Sequence, residues 1–556
     1  MQQKVSFKLL PGETEDTQAI YRMIAETSGK KPGDVTGYHI LKKSIDARSK
    51  TIWVQLTVNA FINEPFFLRT IPGFSFKDVT LSQKKVVIIG GGPAGLFAAI
   101  QLIELGIKPI IVERGKDVKE RRRDLALLNK NGIINPESNY CFGEGGAGTY
   151  SDGKLYTRST KRGNIDRILN LFVHFGADEN ILYEAHPHIG TNKLPGIITE
   201  MRKRITGCGG EFHFGKKVAD FEIENSSLEG VRTEDGDLFK GDAFILATGH
   251  SARDIFILLD KRNIAINAKP FALGVRIEHP QALINDIQYG SLQTLPAGQA
   301  TTQESATERK AFQNIHLPPA SYSLVDQVDN RGVFSFCMCP GGIIAPAATS
   351  MGELVVNGWS PSKRNNPYAN SGLVVQVEIE DIIKYIPDSK RKQTFKNADP
   401  PLRMMYFQRE IEEKAFDAGG GHFVAPAQRM VDFAEGRLSS TLPKCSYIPG
   451  IRSSQLTDVL PPFISYRLKK ALKSFSKKMP AKNGNYGYYT NEAVVVATES
   501  RTSSPVRIPR DNEFLHHPQI KNLFPCGEGA GYAGGIVSAA MDGERVAKTV
   551  SVLLHA

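Results

Sequence analysis

The sequence predicts an α/β fold with a Rossmann-like parallel sheet, an inserted mixed α+β domain and a small N-terminal α+β domain. The main observation is the stretch VVIIGGGPAGLFAA at 86–99, where an apolar strand passes through glycines into a helix. A second apolar strand, KPIIVERG at 108–115, follows that helix and completes a βαβ unit. Residues 517–556 return to a strand, a glycine-rich turn and a long helix. Alternating strands and helices of this kind indicate a parallel sheet.

The composition is that of a globular protein. Its 556 residues are 41% hydrophobic. The six cysteines contain no CxxC pair, which argues against a dithiol redox centre and against a common zinc site, so we predict no metal site. The 69 basic and 58 acidic residues give a net charge of +11, but the basic residues are scattered, which disfavours a nucleic-acid partner. The N-terminus lacks the apolar segment of a signal peptide, and no apolar run is long enough to span a bilayer. A cytoplasmic enzyme is the expectation.

Changes of pattern along the chain divide it into four segments. Residues 1–82 contain a predicted helix and an alternating strand and form a small α+β domain of their own. Residues 83–260 form the first part of a nucleotide-binding domain, and residues 491–556 form its C-terminal part. Residues 261–490 are rich in proline, asparagine and glycine between strands and helices, and we interpret them as a substrate or cap domain.

Gly90, Gly92 and Gly95 form a G-x-G-x-x-G motif between the strand and the helix of the βαβ unit, with Pro93 and Ala94 starting the helix. The glycines allow a tight turn, close approach of a pyrophosphate and close packing of helix on strand. The helix N-terminus supplies N–H groups for the phosphates. Glu113, at the end of the second strand, is placed to accept hydrogen bonds from a ribose, which disfavours NADP.

Two distant segments favour FAD over NAD as the dinucleotide. A buried strand ends at Ala247-Thr248-Gly249, which returns the chain to the cradle. A second strand leads to Gly527 and Glu528, whose carboxylate is suited to the ribityl hydroxyls. The next helix begins near Gly534, Gly535 and Ile536, and its N-terminus can stabilise negative charge on a reduced isoalloxazine ring. A dehydrogenase that binds only NAD needs neither segment.

A glycine-rich block at 141–155 predicts a further approach to the cofactor. Its small residues are Gly143, Gly145, Gly146, Ala147 and Gly148, and its polar residues are Glu144, Thr149, Ser151, Asp152 and Lys154. We also predict cofactor contacts at Arg114 and Val218.

Other candidates concern the substrate. Cys337 and Cys339 of FCMCPGG would point to the same face of a strand, where they could line the flavin pocket. The alternative is that both are buried as small apolar residues. A disulfide between them on such a strand would be strained. The segment 499–510 is rich in arginine and serine, and its predicted substrate contacts are Arg501, Ser503, Ser504 and Arg507. His279 and Tyr289 are the predicted proton-transfer residues.

These motifs resemble known proteins. Residues 86–115, Ala247-Thr248-Gly249 and CGEGAGYAGG are similar to the glutathione-reductase-type FAD-binding fold. The longer blocks NPESNYCFGEGGAGTYSDGKL, GVRIEHPQALINDIQYG, FCMCPGG and ATESRTSSPVRIPR resemble the bacterial FAD-dependent dehydrogenase, or FAD-utilising, family. The resemblance extends over nearly the whole chain and implies the fold and FAD, but no substrate.

We therefore expect an FAD-dependent oxidoreductase that passes a hydride between a small anionic substrate and flavin N5. No second G-x-G-x-x-G motif is present, so an NAD(P)H electron donor would bind transiently in the substrate cleft. The acceptor and the oligomeric state are left open. Two alternatives remain: a flavoprotein that modifies RNA, suggested by the basic charge, and a flavin-binding protein without catalysis.

Overall fold

A computed structural model describes residues 1–49, 51–157, 163–290, 316–385, 400–481 and 487–555. Its secondary structure is α/β, as predicted. Within these ranges, no helix combines the length and the apolar character that crossing a membrane requires.

The N-terminal segment is a three-stranded antiparallel sheet covered by one helix. The strands are Gln2–Leu9, Val35–Asp46 and Trp53–Ile62, with the third in the centre. The helix Thr17–Ser28 begins at Asp16, whose side chain accepts a hydrogen bond from the Gln18 amide, and ends at Gly29 in a left-handed conformation. Its apolar face packs against the sheet, which gives this segment a small core of its own.

The predicted parallel sheet has five strands. Its order is Leu523–Pro525, Ala243–Leu246, Lys85–Ile89, Lys108–Val112 and Glu211–His213, and every neighbouring pair is parallel. The last strand in the chain thus lies beside strands from its middle, as the separated sequence segments predicted. The carboxyl ends of all five strands meet at one edge, where ligands bind in sheets of this kind.

Helices and a small sheet cover the two faces of the parallel sheet. The helices are Pro93–Leu105, Val118–Asn131, Ile165–His174, Leu194–Gly207, Arg253–Lys261 and Ile536–His555. The small antiparallel sheet comprises Val218–Glu224, Ser227–Thr233 and Leu238–Phe239. The helix Pro93–Leu105 is apolar on all sides because it is enclosed between the sheet and the terminal helix.

The inserted domain contains a seven-stranded sheet, which we call the cap sheet. Its order is Val325–Val328, Arg331–Cys339, Tyr368–Val377, Phe271–Pro280, Val494–Glu499, Ala425–Arg429 and Ile451–Ser453. A two-stranded sheet, Ile343–Pro346 with Val356–Trp359, lies beside it. The accompanying helices are Gln281–Tyr289, Ile379–Lys384, Arg403–Gly419, Met430–Glu435, Leu456–Val459 and Pro462–Lys478, and together they enclose a separate hydrophobic core.

The chain returns from the cap sheet later than the domain prediction placed it. Val494–Glu499 was assigned to the nucleotide-binding domain, yet it pairs with Phe271–Pro280 and Ala425–Arg429 inside the cap sheet. The chain therefore leaves the cap sheet after Glu499. Beyond that point Val506–Arg507 pairs with Asn267–Ala268, so the outgoing and returning connections form a short antiparallel sheet. The division into four domains remains a prediction.

Candidate functional site

The G-x-G-x-x-G segment folds into a tight cradle at the end of the strand Lys85–Ile89. Gly90 has a φ of 109°, and a Cβ atom there would lie 2.5 Å from the Ala247 carbonyl oxygen. A Cβ atom at Gly95 would lie 2.1 Å from the Gly90 carbonyl oxygen, so this glycine permits the close helix–strand packing. Gly92 caps the helix Pro93–Leu105 without any side-chain hydrogen bond. The first N–H groups of the helix are therefore available to an anion.

Glu113 lies at the end of the neighbouring strand and connects three loops. Its Oε2 accepts a hydrogen bond from the Gly91 amide at 2.7 Å. Its Oε1 accepts from the amides of Gly115 at 2.8 Å and Gly143 at 3.0 Å. The carboxylate is buried but still reaches the cavity described next. Because Oε2 has a single partner, it retains a lone pair for a ribose hydroxyl.

One cavity of about 350 Å³ extends from this cradle to the cap sheet. Most of the predicted cofactor residues line it: Gly90, Gly92, Pro93, Ala94, Glu113, Arg114, Gly146, Ala147, Gly148, Ser151, Asp152, Val218, Ala247, Thr248, Gly249, Glu528, Gly534, Gly535 and Ile536. They come from the carboxyl ends of adjacent parallel strands and from the glycine-rich block. The prediction therefore brought together residues that are far apart in sequence.

Four predicted cofactor glycines lie behind the cavity wall. Gly95 packs against Gly90, and Gly143 donates its amide hydrogen to Glu113. The Gly145 amide donates to the Gly91 carbonyl at 2.8 Å, and the Gly527 amide donates to Asp542 Oδ2 at 2.8 Å. These glycines shape the loops that carry the lining residues.

The predicted proton-transfer residues do not line the cavity. His279 is fully buried in the cap sheet, where its Nε2 lies 2.8 Å from the Tyr488 carbonyl oxygen. Burial lowers the pKa of His279 to about 4, which keeps it neutral. The Tyr289 hydroxyl donates to the Pro318 carbonyl at 3.1 Å. Both side chains therefore form hydrogen bonds to backbone carbonyls within the cap domain.

Only part of the arginine- and serine-rich segment 499–510 lies at the cavity. Arg501 and its neighbour Thr502 line the wall, whereas Ser503, Ser504 and Arg507 do not. The Ser504 hydroxyl bonds to the carbonyls of Val506 and Gly529, and Arg507 is exposed over the Tyr532 ring. We therefore remove these three residues, together with His279 and Tyr289, from our list of candidate catalytic residues.

The charge of Arg501 is neutralised below the cavity. Its guanidinium contacts Glu353 at 2.8 Å and Glu412 at 3.0 Å, and Nη1 donates to Thr349 at 2.9 Å. Arg253 contacts the same two carboxylates. Although burial opposes it, the Arg253 and Arg501 charges hold the pKa of Glu412 below its ordinary value. The two buried cations and the two buried anions thus balance each other, and the half-exposed Arg409, itself paired with Glu413, approaches Glu353 at 3.5 Å.

Lys154 presents a positive charge to the cavity. Its Nζ donates to the Met338 carbonyl and lies 3.7 Å from Asp152 Oδ2, a carboxylate that Arg364 also contacts at 2.9 Å. Burial alone would lower the pKa of Lys154, but the Cys339 sulfur and the Asp152 carboxylate raise it. Lys154 therefore remains protonated.

Sequence reasoning did not single out His250, which follows Ala247-Thr248-Gly249 directly. It lines the cavity, and its Nε2 lies 3.9 Å from Glu528 Oε1. Burial, together with nearby cations, lowers the pKa of His250 to about 4. Burial raises the pKa of Glu528 to about 7, against the opposing effect of Lys269. The position of His250 just after a central parallel strand is the sequence signal that could have identified it.

The residues present fit FAD. Gly249, Gly534 and Gly535 line the cavity, and a Cβ atom at any of them would meet nothing within 4 Å, so each leaves open space for a ligand. Two helix N-termini, a ribose-binding carboxylate and a second carboxylate at Glu528 supply the polar groups that a dinucleotide requires. The fold and this cavity define a dinucleotide-binding protein of the flavoprotein class.

Comparisons with known proteins agree with that class. A family model described as an FAD binding domain matches residues 83–130, and one described as a C-terminal domain-like part of FAD-dependent proteins matches residues 270–502. A domain of unknown function matches residues 1–61. A protein of Clostridium beijerinckii, described as uncharacterized, is 38% identical over 554 residues, which is 96% of each chain. The chain belongs to this family of FAD-dependent proteins, and it binds FAD.

Solved structures show more distant similarity. The flavin-dependent brominase Bmp2, solved as a triple mutant, is 12% identical with a TM-score of 0.33, over 84% of this chain and 80% of that one. CtdE in complex with FAD is 10% identical with a TM-score of 0.31, over 85% of this chain and 89% of that one.

Proposed function

We propose that this flavoprotein is an oxidoreductase that transfers a hydride between a small anionic substrate and FAD. The observation that carries the proposal is the continuity of the cavity. Its walls come from the nucleotide cradle at Gly90 and Gly92, from the cap sheet at Phe336 and Cys337, and from the two-stranded sheet beside it at Gly358. A protein that used FAD only as a structural element would have no need to bring a second domain to the same cavity.

In this proposal the adenosine half of FAD lies at the cradle, with its pyrophosphate at the N-terminus of Pro93–Leu105 and its ribose at Glu113. Glu528 binds the ribityl chain. The flavin ring then lies toward the cap sheet, near Ser151 and Ile536. Bound FAD supplies the atom that accepts or donates the hydride.

The charge distribution favours an anionic substrate. The Arg253–Arg501 cluster is neutral, because Glu353 and Glu412 balance it. Lys154 and Arg364 share the single carboxylate of Asp152, so that group carries one net positive charge. Lys154 lines the cavity, and we assign to it the binding of a carboxylate or phosphate group of the substrate.

Anaerobic reduction of the flavin tests this function. The full-length protein, loaded with FAD, is mixed with NADH, with NADPH and with a panel of carboxylate and phosphate metabolites, while the flavin absorbance is followed. We expect rapid bleaching by at least one compound and slower bleaching by its neutral analogue. Flavin that dithionite reduces but that no metabolite or nicotinamide bleaches would contradict the proposal.

A further inference from the structure

Two cysteines of the cap sheet reach the flavin cavity together. Cys337 and Cys339 are at the end of the strand Arg331–Cys339, and both line the cavity wall. Both are free thiols; Cys337 is exposed and Cys339 is buried. They are the two cysteines that the strand pattern placed on one face.

The strand is irregular at this point. Phe336 pairs with Gly372 and Cys339 pairs with Asn370, so three steps along this strand oppose two steps along its partner. Cys337 lies in the resulting bulge with a φ of 43°, a left-handed conformation that residues other than glycine seldom adopt. Backbone strain of this kind is concentrated at functional sites. The expectation of a strained disulfide assumed a regular strand through Cys337 and Cys339, and the strand is not regular at this point.

Buried groups hold the Cys339 thiol against Cys337. The Cys339 Sγ lies 3.2 Å from the Cys337 carbonyl oxygen. Arg276 Nη2 donates to the same carbonyl at 2.7 Å and lies 3.5 Å from the Cys339 Sγ. Arg276 is itself fully buried and paired with Glu499 at 2.9 Å. The Cys339 thiol is thus held against the Cys337 backbone by buried groups of the cap sheet.

Cations lie beside these sulfurs. Lys154 Nζ is 3.9 Å from the Cys339 Sγ and donates a hydrogen bond to the carbonyl of Met338, the residue between the two cysteines. Burial raises the pKa of both thiols, to about 11 at Cys337, and the Lys154 and Arg276 charges oppose this rise. Both sulfurs are therefore protonated at neutral pH, so their oxidation releases two protons.

We propose that Cys337 and Cys339 form an internal dithiol–disulfide centre that exchanges two electrons with the bound FAD. In the oxidising direction for the thiols, two S–H bonds break and one S–S bond forms. The two electrons and two protons convert FAD to FADH2, so the exchange balances without a further reactant. The exposed Cys337 faces the cofactor, and the buried Cys339 is its resolving partner. This inference rests on the proposed function, because it requires the flavin ring at the cap end of the cavity.

An anaerobic titration counts the electrons. The FAD-loaded full-length protein is oxidised in air and then titrated with dithionite while flavin absorbance is followed. We expect the wild type to accept four electrons per FAD, and Cys337→Ser and Cys339→Ser to accept two. Cys445→Ser is the matched control, since Cys445 is another free thiol of the cap domain outside the cavity wall, and it should accept four.

Mass spectrometry of the wild type gives an independent readout that needs no variant. Iodoacetamide should leave both cysteines of the oxidised protein unmodified, in a peptide lighter by two hydrogens. After dithionite reduction, it should alkylate both. Wild type that binds FAD, accepts only two electrons and is alkylated at both cysteines after air oxidation would overturn the dithiol centre alone. Protein that cannot be loaded with FAD would overturn the proposed function as well.

Discussion

The Arg501 guanidinium donates to both oxygens of the Glu412 carboxylate, from Nε to Oε1 at 3.2 Å and from Nη2 to Oε2 at 3.0 Å. Glu412 is fully buried, and Arg253 binds it from the nucleotide-binding domain at 2.8 Å. This carboxylate therefore joins the helix Arg403–Gly419 of the cap domain to both the cavity wall and the parallel-sheet domain.

Glu412→Gln should destabilise the protein. It leaves two buried guanidinium groups with one fewer carboxylate, and loss of one partner of a buried ion pair costs about 3–5 kcal/mol. The measurement is the free energy of unfolding by denaturant. Glu200→Gln is the control, because its pair with Lys203 is exposed and worth about 0.5 kcal/mol. Equal effects of the two substitutions would show that the buried cluster is not stabilising.

Gly92→Ala should separate FAD binding from folding. Its φ of −78° suits alanine, and its Cβ atom would meet only Gly146 at 3.8 Å, so apoprotein stability should change little. The methyl group would occupy the pyrophosphate space, and FAD affinity should fall by about tenfold or more, or about 1.4 kcal/mol. Fluorescence titration with FAD measures this.

Gly95→Ala is the matched contrast to Gly92→Ala. Its Cβ atom would lie 2.1 Å from the Gly90 carbonyl oxygen, and overpacking against backbone costs about 1–3 kcal/mol of stability. We expect a lower melting temperature in the apoprotein. An unchanged melting temperature for Gly95→Ala would contradict the packing role of this glycine.

Glu113→Gln should weaken both the cradle and FAD binding. The two carboxylate oxygens of Glu113 accept hydrogen bonds from the amides of Gly91, Gly115 and Gly143. Glutamine has only one oxygen to accept them, and its NH2 group would face a backbone N–H donor. An unsatisfied buried donor costs about 1–3 kcal/mol. Thermal unfolding with and without FAD measures both effects. Glu222→Gln, at a half-exposed pair with Arg232, should match the wild type.

Lys154→Met should impair binding of the anionic substrate. A hydrogen bond to a charged group contributes about 1.5–3 kcal/mol, so KM should rise roughly 10- to 100-fold, with a smaller change in kcat. Lys203→Met is the control, since that lysine is exposed and pairs only locally with Glu200. An unchanged KM in Lys154→Met would show that Lys154 does not bind the anionic group of the substrate.

Glu528 should make apoprotein stability depend on pH. Its pKa is raised from 4.5 to about 7 in the folded state, so folding favours the protonated form. Ionised Glu528 therefore destabilises the folded protein. This destabilisation is absent below the pKa of the unfolded state, grows as the pH rises, and reaches roughly 3 kcal/mol above about pH 7. Glu528→Gln should therefore stabilise the apoprotein at about pH 8 and leave it unchanged at about pH 4.

Denaturant unfolding at the two pH values, compared between wild type and variant, checks this sign. Glu278 shifts in the same direction, also to about 7, so Glu528→Gln should remove only part of the pH dependence of the wild type. A variant that follows the wild type across the whole range would show that Glu528 ionises normally.

The sequence could predict where the cradle residues lie because they are local, and their contacts with FAD stay a prediction. Gly90, Gly92 and Glu113 lie within one βαβ unit, where strand length and turn geometry determine their positions. Gly249 and Glu528 could also be predicted, since parallel strands end at the same edge of the sheet.

The substrate side could not be predicted in the same way. Which side chains of the cap sheet reach the cavity depends on pairing and bulges between distant strands. His279 lies on Phe271–Pro280, a central strand buried on both faces, so alternation gave no indication of which residues face the cofactor. The bulge at Cys337 similarly cannot be recognised from sequence, because no glycine marks it.

The short sheet between Asn267–Ala268 and Val506–Arg507 couples the two connections that lead into and out of the cap domain. The cap domain is inserted into the chain through two connections, and these are paired side by side by backbone hydrogen bonds. Because the two connections are hydrogen-bonded to each other, a change in the backbone of one must be accommodated by the other, so the chain enters and leaves the cap domain through one coupled segment.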